Sequence, residues 1–211
     1  MYEHDRREAE EHQERLAKPY CTVRPPESQE LHRMMWQYLS YRGLSPELAR
    51  RNGWYPSMEA GGNIPRLVIP AVSSDPMNLY WQARAMGDGP RRYESPHGVS
   101  RGDALVIVFP VDQAKGCVVV EGPMAALAAA GEGYCGLALL GATPPDVVVL
   151  NIVDLLRRYP RPVQFLLDAD GLAIRTAVHI VHAGVPLLIK LPYPHKDLAA
   201  APAGERRRLL A

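Results

Sequence analysis

The 211-residue chain has no CxxC pair. Its three cysteines, Cys21, Cys117 and Cys135, stand far apart, which argues against a zinc ribbon. An odd number of thiols without a secretory leader fits a reducing compartment. The opening Met1-Tyr2-Glu3-His4-Asp5-Arg6 is charged where a signal peptide needs an apolar run. No stretch approaches the roughly 20 apolar residues of a membrane-spanning helix, so a cytoplasmic protein with no membrane association is expected. Charge of one sign is also lacking. Lys and Arg number 24 against 23 Asp and Glu, a net charge of +1, so any nucleic-acid binding must come from a local patch. Gly131, Gly133 and Gly136 lack the spacing of a dinucleotide fingerprint, no internal repeat is present, and no thiol has a His-paired catalytic setting. What remains is ordinary soluble composition, 47% hydrophobic and 22% charged, in a chain long enough to bury a core without staples.

Residues 1–26 read as a charged arm, broken by Pro19, Pro25 and Pro26. Residues 27–112 read as a helical and β subdomain. Leu31, Met34, Met35, Tyr38 and Leu39 recur at helical spacing and are expected in the core. Ser45-Pro46 predicts the start of a second helix and Asn52-Gly53 its end. Strands are expected at 67–72, 78–85 and 105–109, with the basic loop Pro90-Arg91-Arg92-Tyr93-Glu94-Ser95-Pro96 between the last two. From residue 113 to about 200, near-continuous apolar strands alternate with helices, the pattern of a parallel sheet covered on both faces. Residues 201–211 read as a short tail helix whose Arg206, Arg207 and Arg208 are expected to be solvated.

Acids recur where those strands should end. Glu121 follows Cys117-Val118-Val119-Val120 and precedes Gly122-Pro123. Asp168 and Asp170 follow Val163 to Leu167, and Asp197 follows the run ending at Ile189. Ligands of open α/β sheets bind outside the carboxyl ends of the strands. Asp168 and Asp170, two apart, can face one ion, and paired carboxylates repel unless a cation neutralises them. Gathered carboxylate oxygens suit a hard cation such as Mg²⁺, and through it a phosphate. A single such Asp is as readily a helix cap or a turn residue. His179, His182 and Arg175 share a helical face and read as solvated, and His195 lies in a loop near Asp197.

Val119-Val120-Glu121-Gly122-Pro123-Met124 resembles the first TOPRIM motif, Leu167-Asp168-Ala169-Asp170-Gly171 resembles the TOPRIM DxD motif, and Lys196-Asp197-Leu198 resembles the late acidic motif of TOPRIM primases. Upstream, Ser40-Tyr41-Arg42-Gly43-Leu44-Ser45-Pro46, Arg66-Leu67-Val68-Ile69-Pro70, Gln82-Ala83-Arg84 and Arg92-Tyr93-Glu94-Ser95-Pro96 follow the order of the basic subdomain of bacterial and phage DnaG-type primases. The resemblance covers about residues 36 to 198. It implies an α/β fold, a TOPRIM parallel sheet flanked by helices and preceded by a small mixed α+β basic subdomain. It also implies a DNA primase-like nucleotidyltransferase that makes short primers from nucleoside triphosphates on single-stranded DNA, with a replicative helicase as a possible partner and a phage or mobile-element origin.

Under this resemblance Glu121, Asp168 and Asp170 are the catalytic acids and hold Mg²⁺ or Mn²⁺, with Asp197 completing the metal pocket. Arg84, Arg92, Tyr93 and Lys196 face nucleic acid or nucleotide. Arg84 and Arg92 read equally as solvated surface residues, and Tyr93 equally as packing. Two departures stand out. Family members often carry another acid four residues after the Glu, where this chain has Ala125, and the zinc-binding and C-terminal helical parts of larger primases are not seen, so a minimal core is expected. A TOPRIM nuclease and a non-catalytic nucleic-acid-binding accessory protein of replication are the alternatives.

Overall fold

The computed structural model describes residues 28–61, 64–73, 80–89, 91–141, 144, 146–158, 163–166, 168, 174–190 and 194–211. The expected charged arm, the turn at Ser74-Asp75-Pro76 and Asp170 lie outside the described residues.

Helix α1 (Gln29–Tyr41) starts at Ser28, whose Oγ accepts from the Leu31 N–H, and turns Met35 and Leu39 into the core. The expected Ser45-Pro46 start holds for α2 (Pro46–Arg51): Ser45 Oγ accepts from the Leu48 N–H at 3.1 Å and Pro46 occupies the first turn, where its missing N–H costs nothing. Asn52 closes the helix and Gly53 follows with φ +77°. The Asn52 amide does more than cap. It donates to Phe109 O at 3.0 Å and accepts from Phe109 N–H at 2.8 Å, so it pairs with that backbone as a strand would.

The first sheet is antiparallel, in the order β1 (Tyr55–Ser57), β2 (Arg66–Pro70), β3 (Trp81–Ala85), β4 (Tyr93–Glu94). The expected basic loop thus contains a short strand, with Arg84 opposite Tyr93 in register. Arg66, 1% exposed, reaches across β3. It donates to Ala83 O and Arg91 O, each at 3.2 Å, and lies 3.7 Å from Glu94. One buried guanidinium therefore fixes the segment that carries Arg92 and Tyr93.

The second sheet has the order β5 (Val106–Val108), β7 (Cys135–Ala138), β6 (Cys117–Val120), β8 (Val163–Leu166), β9 (Leu188–Lys190). All pairs are parallel except β5 with β7. The run at 105–109 was expected in the first β region and instead forms the antiparallel edge of this sheet. Val106, Ile107 and Val108 are all buried, which requires cover on both faces. The alternation along β6 shows how that cover is divided. Val118 and Val120 join one apolar cluster with α1, α2, β2 and α3 (Pro123–Gly131), while Cys117 and Val119 join another with α4 (Asp146–Arg158) and α5 (Ile174–His182). The first cluster runs without a break from Met35 and Leu39 through Leu67 and Ile69 to Val118 and Leu127. Among the described residues, no helix is long and apolar enough to cross a membrane.

Helix α3 is buried from Pro123 to Ala130, which suits its run of alanines. It lies so close to β7 that a Cβ on Gly136 would come within 2.3 Å of Ala126 O. The C-terminal helix α6 (Ala203–Leu210) departs from expectation. Arg207 and Arg208 are exposed, Arg207 pairing with Glu132 at 3.0 Å, but Arg206 is only 4% exposed. A guanidinium can be buried here because backbone carbonyls surround it. At the far end of α6, Leu210 O accepts from Tyr134 Oη at 2.8 Å and Gln164 Nε2 at 2.7 Å, and Leu209 O from Lys190 Nζ at 2.8 Å, which satisfies carbonyls a helix end leaves open.

The Gly136 contact gives a direct test of the fold. Gly136→Ala sets a methyl against helix backbone that has no rotamer to move, and urea unfolding should show a loss of about 3 kcal/mol or more, at the upper end of overpacking costs. Gly131→Ala, where an added Cβ meets nothing within 4 Å, should cost far less.

Candidate functional site

Strands β6 and β8 are parallel neighbours, so their carboxyl ends open side by side. Glu121 follows β6 directly and is 9% exposed, and Asp168 lies two residues past β8. The Asp168 N–H donates to Glu121 Oε1 at 3.2 Å, which fixes the two residues against each other. Asp197 comes from a different element. It caps the 3₁₀ turn Leu198–Ala200, its Oδ1 accepting from Ala200 N–H at 2.9 Å. Glu121, Asp168 and Asp197 line one cavity of about 240 Å³.

The lining of the same cavity is also basic. Arg84, Gln82, Arg92 and Tyr93 enter from β3 and β4, Arg42 from the end of α1, and Lys196 from beside Asp197. Arg84 is not a solvated surface residue: it is 6% exposed. Its Nε donates to Tyr38 Oη, its Nη1 to Tyr93 Oη at 2.8 Å, and its guanidinium carbon sits 5.1 Å from the Tyr93 ring centre. Burial works to lower the Arg84 pKa, but the Tyr93 and Tyr38 hydroxyls outweigh it and the net shift is upward. The guanidinium is therefore a fixed positive charge at any accessible pH. Burial pushes the Tyr93 hydroxyl above its ordinary value, with Arg84 pulling it back in part, so Tyr93 remains a neutral phenol near neutral pH. The Arg42 guanidinium carbon also lies over the Tyr38 ring, 5.7 Å from its centre.

The lining also includes Gly122, Pro123, Met124 and Ala125, the start of α3. Gly122 caps that helix with no side-chain hydrogen bond, and a Cβ placed on it would meet nothing within 4 Å. The space above it is the cavity. The helix start adds partial positive charge there. The remaining wall is the turn after β7. Leu140 takes φ +59°, an uncommon conformation for a leucine. Its neighbours are pinned: Leu139 N–H to Val120 O at 2.9 Å, Gly141 N–H to Glu121 O at 3.2 Å, and Arg101 Nη2 to Leu139 O.

Seven of the eight site residues expected from the sequence thus border one space: Glu121, Asp168, Asp197, Arg84, Arg92, Tyr93 and Lys196. The eighth, Asp170, lies outside the described residues. Sequence reasoning missed Arg42, Gln82 and Tyr38. Arg42 stood in the quoted Ser40–Pro46 segment, and Tyr38 was assigned to the core stripe; the half-buried ring is in that stripe while its hydroxyl holds Arg84. His195 is turned to α6, its Nε2 2.5 Å from Glu205 Oε2, and His179, His182 and Arg175 are exposed on α5 as expected. Among the described residues, no three His, Cys, Asp or Glu side chains form a ready metal cage; the Glu121–Asp168 pair supplies hard oxygen donors for part of one.

No family profile and no curated protein matches the sequence. Solved structures do match its fold. The chain is similar to the primase fragment of the bacteriophage T7 primase-helicase protein, at 16% identity over 82% of this chain and 71% of that one, with a TM-score of 0.61. It is similar to the E. coli primase catalytic core, at 18% identity over 80% and 68%, TM-score 0.55. A DnaG primase catalytic domain bound to ssDNA gives 18% identity over 78% and 64%, TM-score 0.52. The fold is that of the DnaG-type primase catalytic core. In this primase-type fold the cavity lies where two sheets meet, and its charge is divided by origin. Glu121 and Asp168 come from the five-stranded sheet, Arg84 and Arg92 from the four-stranded one.

Tyr38 holds Arg84 through its hydroxyl, and its ring centre lies 6.0 Å from the guanidinium carbon. Tyr38→Phe keeps the ring and removes an acceptor from a buried cation, so chemical denaturation should report a loss of about 1.5–3 kcal/mol, the range for hydrogen bonds to charged groups.

Proposed function

We propose that the chain is the catalytic core of a TOPRIM-type primase, a nucleotidyltransferase that joins nucleoside triphosphates into a short primer on single-stranded DNA. The observation that carries this reading is the cavity itself: acids at the strand ends of one sheet share it with the buried Arg84 and the exposed Arg92 of the other and the half-buried Arg42 at the end of α1, within a primase-core fold. The five-stranded sheet is the TOPRIM unit in this reading, and the four-stranded sheet with α1 and α2 its basic subdomain.

The donor set fits a hard divalent cation. Glu121 and Asp168 are held side by side as two oxygen donors, Asp197 lines the same cavity without forming a three-residue cage with them, and the motif resemblance would add Asp170. Mg²⁺ or Mn²⁺ held there would stabilise charge on the triphosphate and on the attacking and leaving oxygens. Every other part of the task falls to the chain. Arg84, unable to lose its proton, and Arg42 offer planar donors to phosphate oxygens. The open space over Gly122 lets phosphate approach the start of α3. Tyr93 and Tyr38 hold Arg84 at a fixed angle, which lowers the reorganisation needed when charge develops. In the reaction a 3′ oxygen bonds to the α-phosphorus, the bond to the bridging oxygen breaks, and pyrophosphate leaves. A single-stranded template partner is supported by the fold's likeness to a DnaG domain solved with ssDNA, and a helicase partner by its likeness to part of a primase-helicase protein.

Ala125 favours a second reading. It lines the cavity where the motif pattern often has an acid, and a methyl neither binds metal nor moves a proton. A replication accessory protein that binds nucleic acid without chemistry would look the same on the basic side.

Incubation with single-stranded template, labelled nucleoside triphosphates and Mg²⁺ or Mn²⁺ separates these. A primase yields short labelled products, and Asp168→Ala or Glu121→Gln should each lower the rate by about 100-fold or more, the scale seen when one transition-state contact is removed. Cutting of the template without nucleotides would point to a nuclease, and binding without any product would point to the accessory role. Gly122→Ala is a sharper probe of the cavity. Its thermal unfolding should match wild type, because the methyl meets nothing, while nucleotide binding weakens by about tenfold because the methyl stands in the ligand's space.

A further inference from the structure

The buried guanidinium of Arg206 is attached to more than its own helix. Nη1 donates to Gly43 O at 2.7 Å, and Nη2 donates to Arg42 O at 3.2 Å and to Ala199 O at 3.1 Å. Arg42 and Gly43 form the end of α1, whose Arg42 side chain lines the cavity. Ala199 is the middle residue of the 3₁₀ turn that Asp197 caps, and Lys196 and Asp197 line the same cavity. Gly43 takes φ +63°, and a Cβ there would lie 3.7 Å from Arg206 Nη2.

We infer that Arg206 is a positioning residue of the cavity: one planar guanidinium joins the segment carrying Arg42 to the turn carrying Lys196 and Asp197 and fixes the distance between them. The inference rests on reading the cavity as the place where nucleic acid and nucleotide bind. Anchoring α6 does not by itself require this residue, since Tyr134, Gln164 and Lys190 already hold the end of that helix. Burial penalises the charge, with Glu132 and Asp197 acting against that penalty, and Arg206 Nε has no hydrogen-bond partner among the described residues. An apolar residue of the same volume avoids that cost but cannot join three carbonyls on two segments. The planar fork can, which distinguishes arginine from lysine here. A second tie runs in parallel: His195, next to Lys196, meets Glu205 of α6 at 2.5 Å.

The test uses the full chain with Arg206→Met and Arg206→Lys, each alone and combined with Arg42→Ala. Backbone amide exchange is read over residues 42–44 and 198–201, and affinity is measured for a fluorescent single-stranded oligonucleotide. Both Arg206 variants should exchange faster at those two segments while the strands of the five-stranded sheet keep their protection. Oligonucleotide affinity should fall by about tenfold in the single variants and by less than about twofold when Arg42 is already alanine, the non-additivity expected of residues acting through one another. Equal losses with and without Arg42, unchanged affinity, or unchanged exchange at the two segments would overturn the inference. If Arg206→Met does not fold, Arg206→Lys carries the same comparison. If the wild-type chain binds no oligonucleotide, the functional reading of the cavity fails, and the exchange measurement still decides whether Arg206 joins the two segments.

Discussion

The close approach of α3 to β7 is the contact on which the rest of the cavity depends. With no side chain at Gly136 and alanines along the helix, the helix backbone comes nearer to the sheet than larger residues would allow. Only Glu121 and Gly122 separate the end of β6 from the helix, so its cap, Gly122, lines the cavity with Glu121 and the basic residues of the first sheet. The same helix is buried along its length, packed by β5, β6 and β7 on one side and by the α1–α2 cluster on the other. Moving α3 outward would separate the two sheets and, with them, the acidic and basic sides of the cavity.

Three buried arginines do the long-range fastening. Arg66 spans β3 to reach the segment of Arg91 and Glu94, Arg84 is clasped between Tyr38 and Tyr93, and Arg206 ties two separate segments to α6. Each bonds mainly to carbonyl or hydroxyl oxygens rather than to a carboxylate. That choice keeps the net positive charge near the cavity, whereas a buried Arg–Asp pair would cancel it. Neutral acceptors repay less of the desolvation cost, so the geometry must be close in every case.

Much of the fold was legible because the apolar runs differ in kind. The unbroken Cys117–Val120 run implied a strand covered on both faces, and its residues divide between two clusters in the structure. Caps at Ser45 and Asn52 were readable from local chemistry alone. The run at 105–109 was placed in the wrong sheet because pairing is non-local: nothing within five residues records whether a strand's partner is β3 or β7. The acidic edge was legible from the position of Glu121 and Asp168 at strand ends. Arg206 and Tyr38 were not. A triplet of arginines in a terminal helix carries no mark of which member points inward, and a tyrosine in an apolar stripe shows its ring in the pattern but not where its hydroxyl is directed.

The two sides of the cavity are held in different ways, and this bears on what each can do without the other. On the basic side, Arg84 and Tyr93 are fixed by one another, by Tyr38 and by the Arg66 latch, all within the protein. That surface is complete before any ligand arrives and presents positive charge whether or not a cation occupies the acids. On the acidic side, Asp168 and Glu121 are brought together by the Asp168 amide and by strand order, and carboxylates gathered in one place gain from a bound cation. In the function proposed above, recognition of a polyanion would fall chiefly to the four-stranded sheet and α1, and chemistry to the five-stranded sheet. Under that proposal an alanine at position 125 bears on the chemistry alone, because Ala125 takes no part in the hydrogen bonds that hold Arg84 and Arg66.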